Sequence, residues 1–284
     1  MTATSDIDDL PLYGVDAATM RFLDLHEARC HALGGRDVRD LGHGILLHDP
    51  IDPEPFWNRL AGVRWPDDDA AFDRRLADVT ALFASIERQP HIWLAPAHNE
   101  PVDVASRLAD HGFVDLGGGY LMILVDPAAS LAAARDPASG VTLERVEGGS
   151  RPESAFLEDA TTVLGEAFEV PDQRREPIGA ELARSMASPA LTTYLARVDG
   201  APAAVAKRTT FDGASYLASI GVHPAWQGRG LGALVTAAAV RDAVDEGNEM
   251  TYLGVFTDNE RAQRLYERLG FAIVGGRAAD FLLR

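Results

Sequence analysis

Ser215-Tyr-Leu-Ala-Ser-Ile-Gly-Val-His-Pro-Ala-Trp-Gln-Gly-Arg-Gly-Leu-Gly232 reads as a strand that breaks sharply into a helix. Tyr216 to Val222 is a short apolar run stopped by Pro224, and Leu231, Leu234, Val235 and Ala238 then recur at the spacing of one helix face. Between the two lies Gln227-Gly228-Arg229-Gly230-Leu231-Gly232. Its three glycines remove the Cβ atoms that would keep a ligand off the backbone, and the helix they open presents unpaired amides and the positive end of its dipole. Such a loop suits a phosphate or pyrophosphate. Spacing separates the nucleotide loops that compete for it: the Gly-Lys-Ser/Thr of a Walker loop is absent, and the glycines alternate, which is not the Gly-x-Gly-x-x-Gly of a dinucleotide fold.

What remains is Gln-x-x-Gly-x-Gly after an apolar strand ending Val-x-Pro, and this resembles the acetyl-CoA-binding loop of the GCN5-related N-acetyltransferase superfamily. A second stretch extends the resemblance. The apolar run Met250 to Phe256 leads into Thr257-Asp-Asn-Glu-Arg-Ala-Gln-Arg-Leu-Tyr-Glu-Arg-Leu-Gly-Phe271, which is similar at each defined position to the family's Asn-x-x-Ala-x-x-Leu-Tyr-x-x-x-Gly-Phe. Asp258 or Asn259 can cap this helix and Gly270 can end it, with Ala262, Leu265, Tyr266 and Leu269 on one face. The two motifs together cover Tyr216 to Phe271.

The resemblance implies a fold and a set of ligands. The fold is α/β: two tandem acyl-CoA N-acyltransferase-type domains, each a mixed, mainly antiparallel sheet flanked by helices, with the central strands splayed in the C-terminal copy. Gln227, Gly228, Arg229, Gly230, Leu231 and Gly232 would hold the cofactor pyrophosphate, chiefly through backbone N–H groups. Ile220, Gly221 and Val222 would line the pantetheine arm on the splayed strand, with Val222 N–H as the oxyanion donor. Asn259, Ala262 and Tyr266 would complete the cofactor contacts. Tyr266 would also protonate the departing thiolate, for which a phenol of pKa about 10 is matched to a thiol of about 8.5. Tyr266 equally reads as a buried aromatic of an apolar helix face, and Arg229 as a phosphate partner or a solvated side chain.

Transfer to an amine also needs a base. By position the candidates are Glu166, Glu169, Asp172 and His223, and the residues do not choose among them. The reaction implied is movement of an acetyl group from acetyl-CoA to a primary amine of a small molecule, without a metal. A non-catalytic acyl-CoA sensor or scaffold, or acetylation of a protein amine, would use the same cofactor loop.

Composition narrows the partners. The chain has 284 residues, 46% of them hydrophobic, enough for two domains with cores of their own. Its net charge of −17 is shared unevenly, with 23 acids against 11 bases up to residue 140 and 20 against 15 beyond it. So acidic a chain argues against nucleic acid and anionic membranes as partners and accommodates a cationic amine. Met1 to Leu10 has neither the basic start nor the apolar core of a signal peptide, so a cytoplasmic protein is expected, as a monomer or homodimer. Cys30 is the single cysteine, which leaves no internal disulfide; a buried inert thiol is expected there.

The first half has its own order of elements. Helices are expected at residues 16 to 33, 70 to 88 and 102 to 111, and strands at 44 to 48, 56 to 66, 91 to 95 and 119 to 125. A shift of 158 positions lays Gly112-Phe113 on Gly270-Phe271, His91 to Ala95 on Glu249 to Leu253, and Trp65-Pro66 on His223-Pro224. This reads as two copies of one fold. In that alignment Asp69 to Arg74 takes the place of the glycine loop, behind Asp67 and Asp68, whose charge opposes a pyrophosphate. Leu108 stands at the position of Tyr266 and Pro101 at that of Asn259. Residues 1–126 are therefore expected to be a degenerate copy, the Ala- and Pro-rich residues 127–140 a linker, and residues 141–284 the catalytic domain that binds acetyl-CoA.

In the second half, strands are expected at 141 to 146, 191 to 198 and 202 to 210, and helices at 152 to 168 and 176 to 187. Tight turns fall at Asp199-Gly200 and Asp212-Gly213.

Overall fold

A computed structural model describes residues 12–95, 98–133, 139–149 and 152–284. In chain order the elements are β1 (Leu12–Tyr13), α1 (Ala17–Ala32), β2 (Asp37–Asp40), β3 (Ile45–His48), β4 (Arg59–Ala61), α2 (Asp69–Ser85), β5 (His91–Leu94), α3 (Val104–Asp110), β6 (Phe113–Asp115), β7 (Gly119–Leu124) and α4 (Pro127–Ala133). There follow β8 (Val141–Glu147), α5 (Ser154–Ala167), α6 (Asp172–Met186), β9 (Leu191–Val198), β10 (Ala201–Phe211), β11 (Ala214–Val222), α7 (Leu231–Asp245), β12 (Met250–Phe256), α8 (Glu260–Arg268) and β13 (Phe271–Leu283). The chain forms two compact units. The first gathers residues 1–121, Val255–Asn259 and Ile273–Arg284, and the second Met122–Gly254 and Glu260–Ala272.

The first unit is a mixed sheet. Strands β2, β3 and β4 pair antiparallel in succession, β4 runs parallel to β5, and the Ala279–Leu282 stretch of β13 closes on β5 antiparallel. Helix α2 supplies Phe72, Leu76, Val79 and Phe83 to its core, at the spacing of a single helix face, where they meet Leu46, Leu60, Ile92 and Leu108. Asp68 caps that helix by accepting the Ala71 N–H at 2.9 Å.

The second unit is a meander of β8, β9, β10 and β11, all antiparallel, to which β12 adds in parallel. Both hairpin turns are where the Asp-Gly pairs place them, with positive φ at Asp199, Gly200, Asp212 and Gly213. Helices lie on both faces: on β11, Gly221 faces Ala167 at the end of α5, while its neighbour Val222 faces Gly232 at the start of α7. The far end of α7 is tied down by charge. Arg208 of β10, buried at 2% exposure, forks onto Glu246 at 2.5 and 2.6 Å, and the Tyr194 hydroxyl bridges its Nε to Asp242. This fixes the axis of the helix whose other end carries the glycine loop.

Four expectations change, the first being the strand expected at 56 to 66: Pro55–Trp57 forms a 3-10 turn, and only Arg59–Ala61 pairs as β4. The stretch read as a linker holds α4, because an alanine-rich segment opening on Pro127 is a good helix once Asp126 accepts the Ala128 N–H; Ser130 is buried and bonds the Leu269 carbonyl. Residues 134–138 of that stretch, and Met1 to Leu10, lie outside the described residues. Helix α6 starts at Asp172, four residues before the expected start, and carries Pro177 inside it. The single shift of 158 also fails ahead of α2. It would set Ala218 against Met250, as Leu60 stands against Ile92, whereas Ala214 is the residue opposite Met250. The first unit reaches α2 by a shorter path, with no counterpart to the last part of β11.

Candidate functional site

Strand β11 positions the site by leaving its neighbour. It pairs with β12 from Ala214–Met250 to Leu217–Leu253, after which no further pair joins them although β11 runs on to Val222. The departure coincides with a bulge: Ser219 has φ +50°, and the β10–β11 register shifts between Val205–Gly221 and Lys207–Ala218. An extra residue on one strand bends it and ends regular pairing, so the sheet opens into a split bordered by Ala218 to Val222. The His223 N–H bonds the Ala203 carbonyl on β10 at 2.9 Å. Amides alternate in direction along a strand, so the Val222 N–H points the other way, into the split.

Past β11 the chain makes a short 3-10 turn, Pro224–Trp226, and then the loop. Gly228 and Gly230 have φ of +79° and +78°, and a Cβ on either would point into open space. Side-chain-bearing residues seldom adopt that conformation, so here the glycines are needed for backbone shape. Gly230 heads α7 without a side-chain cap, and from Gly228 to Ala233 the N–H groups have no partner among the described residues, the first helical bond being Leu234 to Gly230. Six open amides at the positive end of a 15-residue helix form an anion cradle. Leu231 is buried and anchors the first turn. Gly232 allows the close packing of a third element, since a Cβ there would lie 3.3 Å from Leu265 of α8 and 3.5 Å from Val222.

The side chains of the loop are spoken for. The Gln227 carbonyl oxygen accepts from Arg261 of α8 at 2.7 Å, and the Arg229 guanidinium stacks 4.7 Å from the Trp226 ring. Neither contact is announced by the motif. The loop is braced by α8 and by its own aromatic, which leaves its backbone amides as the open groups.

Tyr266 is buried on α8, 6.1 Å from the Phe271 ring, and burial raises its phenol above the ordinary value. Ala262 is half-buried, one turn before it. The helix face differs from the expected one, because Gln263 is buried with Tyr266 and Leu269, while Ala262 and Leu265 are only partly covered. Asn259 stands directly before α8, its N–H bonded to the Phe256 carbonyl, in the segment that groups with the first unit. The second unit thus brings together Ile220, Gly221, Val222, the loop from Gln227 to Gly232, and α8 through Arg261 and Leu265; Asn259 is not among the residues it gathers.

The four candidate bases fare differently. Glu166 is ion-paired with Arg175 at 2.8 Å, and that hydrogen bond holds its carboxyl below the usual range. Asp172 shares the same guanidinium at 3.1 Å. The His223 Nδ1 accepts the Ala225 N–H at 3.2 Å, which places the proton of a neutral ring on Nε2 and leaves no lone pair free for a substrate. Glu169 is exposed and sits in a left-handed turn at φ +50°.

With this geometry in view, residues 157–271 of the chain, which hold β11, the glycine loop and α8, match the model of the acetyltransferase (GNAT) family. Two curated relatives, mycothiol acetyltransferases of Nocardiopsis dassonvillei and Mycobacteroides abscessus, are 52% and 50% identical to it over 54 residues. That stretch is 19% of this chain and spans only 16% and 18% of the relatives' own lengths. Solved structures are similar across nearly the whole chain. A GCN5-related N-acetyltransferase from Kribbella flavida has a TM-score of 0.64 at 24% identity, covering 95% of each chain. A tandem GNAT protein from the clavulanic acid biosynthesis pathway has a TM-score of 0.61 at 17% identity, covering 93% of each. These likenesses bear on the fold. Among the described residues no helix is long and apolar enough to cross a membrane.

Proposed function

We propose that the protein is an N-acetyltransferase that moves an acetyl group from acetyl-CoA to a primary amine of a small molecule by direct attack in a ternary complex. The observation that carries this reading is the run of open amides from Gly228 to Ala233, set beside a strand whose Val222 N–H points into a split. When bound, acetyl-CoA supplies an activated acyl group as a thioester. The amides of the loop hold its pyrophosphate, Arg229 leaves Trp226 for a phosphate oxygen or stays stacked, and Ile220 to Val222 guide the pantetheine arm along β11. Val222 N–H then donates to the carbonyl oxygen as negative charge builds there.

Bond changes follow from these placements. The amine nitrogen forms a bond to the carbonyl carbon, the carbon–sulfur bond breaks, and Tyr266 gives its proton to the sulfur. Like any phenol it is protonated at neutral pH, and burial, which raises its pKa, makes it a weaker proton donor than a free tyrosine until the cofactor is bound beside it. Glu166 and Asp172 are held by Arg175 and His223 is turned to Ala225, which leaves exposed Glu169 or water in the split to take the proton of the amine. Asn259 and Ala262 serve as further cofactor contacts in this reading, and residues 1–126 are a degenerate copy without cofactor chemistry.

Calorimetry of the full chain with coenzyme A, followed by release of free thiol from acetyl-CoA with a panel of small amines, tests the reading. Saturable binding and amine-dependent thiol release are expected. Binding without release from any amine would leave a CoA-binding sensor in its place, and no binding would end both.

A further inference from the structure

Phe168 is the residue that the reaction above does not yet use. It follows the last turn of α5 and, although a large aromatic, is 53% exposed. Its ring lies against the split: a Cβ built on Gly221 would come within 3.3 Å of Phe168 Cε2 and 2.9 Å of Ala167. Gly221 is glycine because α5 ends on top of it. The contact falls between Ile220 and Val222, the part of β11 that β12 has left.

The turn that aims the ring is a strained one. The Phe168 N–H bonds Leu164 at 3.1 Å, the Val170 N–H reaches back to Gly165 at 2.8 Å, and Glu169 between them has φ +50°. A helix end of this kind normally uses glycine at that position. An unfavourable backbone that holds an exposed aromatic against the stretch of β11 that β12 has left is an outlier from which function can be argued. Gly221 points its missing side chain to the α5 face and Val222 to the α7 face, so an acyl group threaded through the split from the loop side emerges against the Phe168 ring.

We propose that Phe168 is a specificity-determining residue: its ring, set against Gly221, closes the far side of the split and restricts the acyl group to acetyl. The proposal rests on the reading that a CoA thioester lies along β11. A pocket wall that excludes one or two methylenes discriminates by roughly 10- to 200-fold for each. The test is calorimetry of the full chain with coenzyme A, acetyl-CoA and butyryl-CoA, for the natural protein, Phe168→Ala and Phe168→Leu.

The natural protein is expected to prefer acetyl-CoA to butyryl-CoA by about 10-fold or more, Phe168→Ala to bring that ratio within about threefold, and Phe168→Leu to fall between. Because the ring is half in solvent, thermal melts of the two variants should follow that of the natural protein; Phe168→Leu, which keeps most of the bulk, decides the matter where Phe168→Ala melts early. A ratio unchanged in both variants while coenzyme A still binds would overturn the proposal alone. Equal weakening of both thioesters would also overturn it, by making Phe168 a general wall. Failure of coenzyme A to bind the natural protein would remove the proposed function, and the role of Phe168 with it.

Discussion

The two units build the same parallel strand pair and then part ways. In the second, β11 leaves β12 after Leu217, bulges at Ser219 and runs on beside an open split. In the first, β4 pairs with β5 only at Leu60–Ile92 and Ala61–Trp93, and the residues beyond are taken up at once. The Glu100 N–H bonds the Val63 carbonyl at 3.1 Å and the Trp65 N–H bonds the Glu100 carbonyl at 2.8 Å, so the backbone that would border a split is already paired. A carboxylate adds to this: at Gly62 the Asp24 Oδ2 lies where a Cβ would be only 3.1 Å away. No glycine loop follows, since α2 begins at Asp69 with the Ala71 N–H bonded to the Asp68 carboxylate. The difference teaches that one strand arrangement can leave its backbone groups open or pair them within the unit, and under the proposed function only the open arrangement is free to hold a cofactor.

The largest expected effect comes from closing the loop of the second unit. Gly230→Asp keeps a residue type that tolerates left-handed φ but puts a carboxylate among the open amides. At a separation of about 5 Å from a phosphate, in a surface dielectric of 20 to 80, this should weaken coenzyme A binding roughly 100-fold, with little change in melting temperature. The same variant sharpens the comparison. Calorimetry that shows a remaining tight site in Gly230→Asp would assign cofactor binding to the first unit and end its description as degenerate.

Next in size is Tyr266→Phe, expected to cut turnover tenfold or more with coenzyme A affinity unchanged. Leu108 at the matching place in the first unit is a plain core residue, and unchanged turnover in Tyr266→Phe would make Tyr266 the same. Steady-state rates set beside calorimetry separate the two.

Asp24 offers a third and smaller break, this time in the first unit. Burial, with a contribution from the charge of Glu27, pushes its carboxyl up to about 7 from 3.8. A folded carboxyl that holds its proton more tightly than the unfolded one stabilises the fold at low pH. That stability is lost as pH rises from about 4 to about 7, and above that the buried charge opposes folding throughout. Asp24→Asn should therefore melt higher than the natural protein at pH 8, by several degrees at about 2–4 °C per kcal/mol, and equal it at pH 4. A carboxylate in the same setting beside the open split of the second unit would work against an anionic cofactor. If the two proteins melt alike at pH 8, the carboxyl is solvated and no part of the contrast rests on it.

Much of this was legible in the residues, and what was not has physical reasons. The glycine loop could be read because φ near +78° at Gly228 and Gly230 can be held comfortably by little else. Asp-Gly turns and the period of α2 were visible on the same grounds. Ser219 carries the bulge without a glycine, so its position gave no signal, although a splayed strand was implied by resemblance. The bond from Arg261 to Gln227 and the packing of Leu265 on Gly232 join residues far apart in the chain, and no local pattern encodes them. Alanine and proline in residues 127–140 pointed to a linker; the composition of a flexible tether and that of a short alanine helix are nearly the same, and burial of Ser130 decides between them.

The smallest expected effect tests whether strain at the two helix ends has the same meaning. Glu87 after α2 and Glu169 after α5 both have positive φ, 55° and 50°, and both sit in the same turn, with Arg88 N–H reaching Phe83 and Val170 N–H reaching Gly165. Glycine at either place removes a left-handed penalty of about 1–2 kcal/mol and adds about 0.5–1 kcal/mol of unfolded-chain entropy, so each variant should gain about 0.5 kcal/mol. Thermal melts of Glu87→Gly and Glu169→Gly should therefore move together by a degree or two. Their acyl preference should not. Glu87 ends a helix whose neighbours are core, whereas the turn at Glu169 aims Phe168 at Gly221, so freeing it should relax discrimination between acetyl-CoA and butyryl-CoA only in Glu169→Gly. Equal melts with equal acyl preference would mean that both turns are ordinary helix stops and that the ring of Phe168 is held by packing on Gly221 alone.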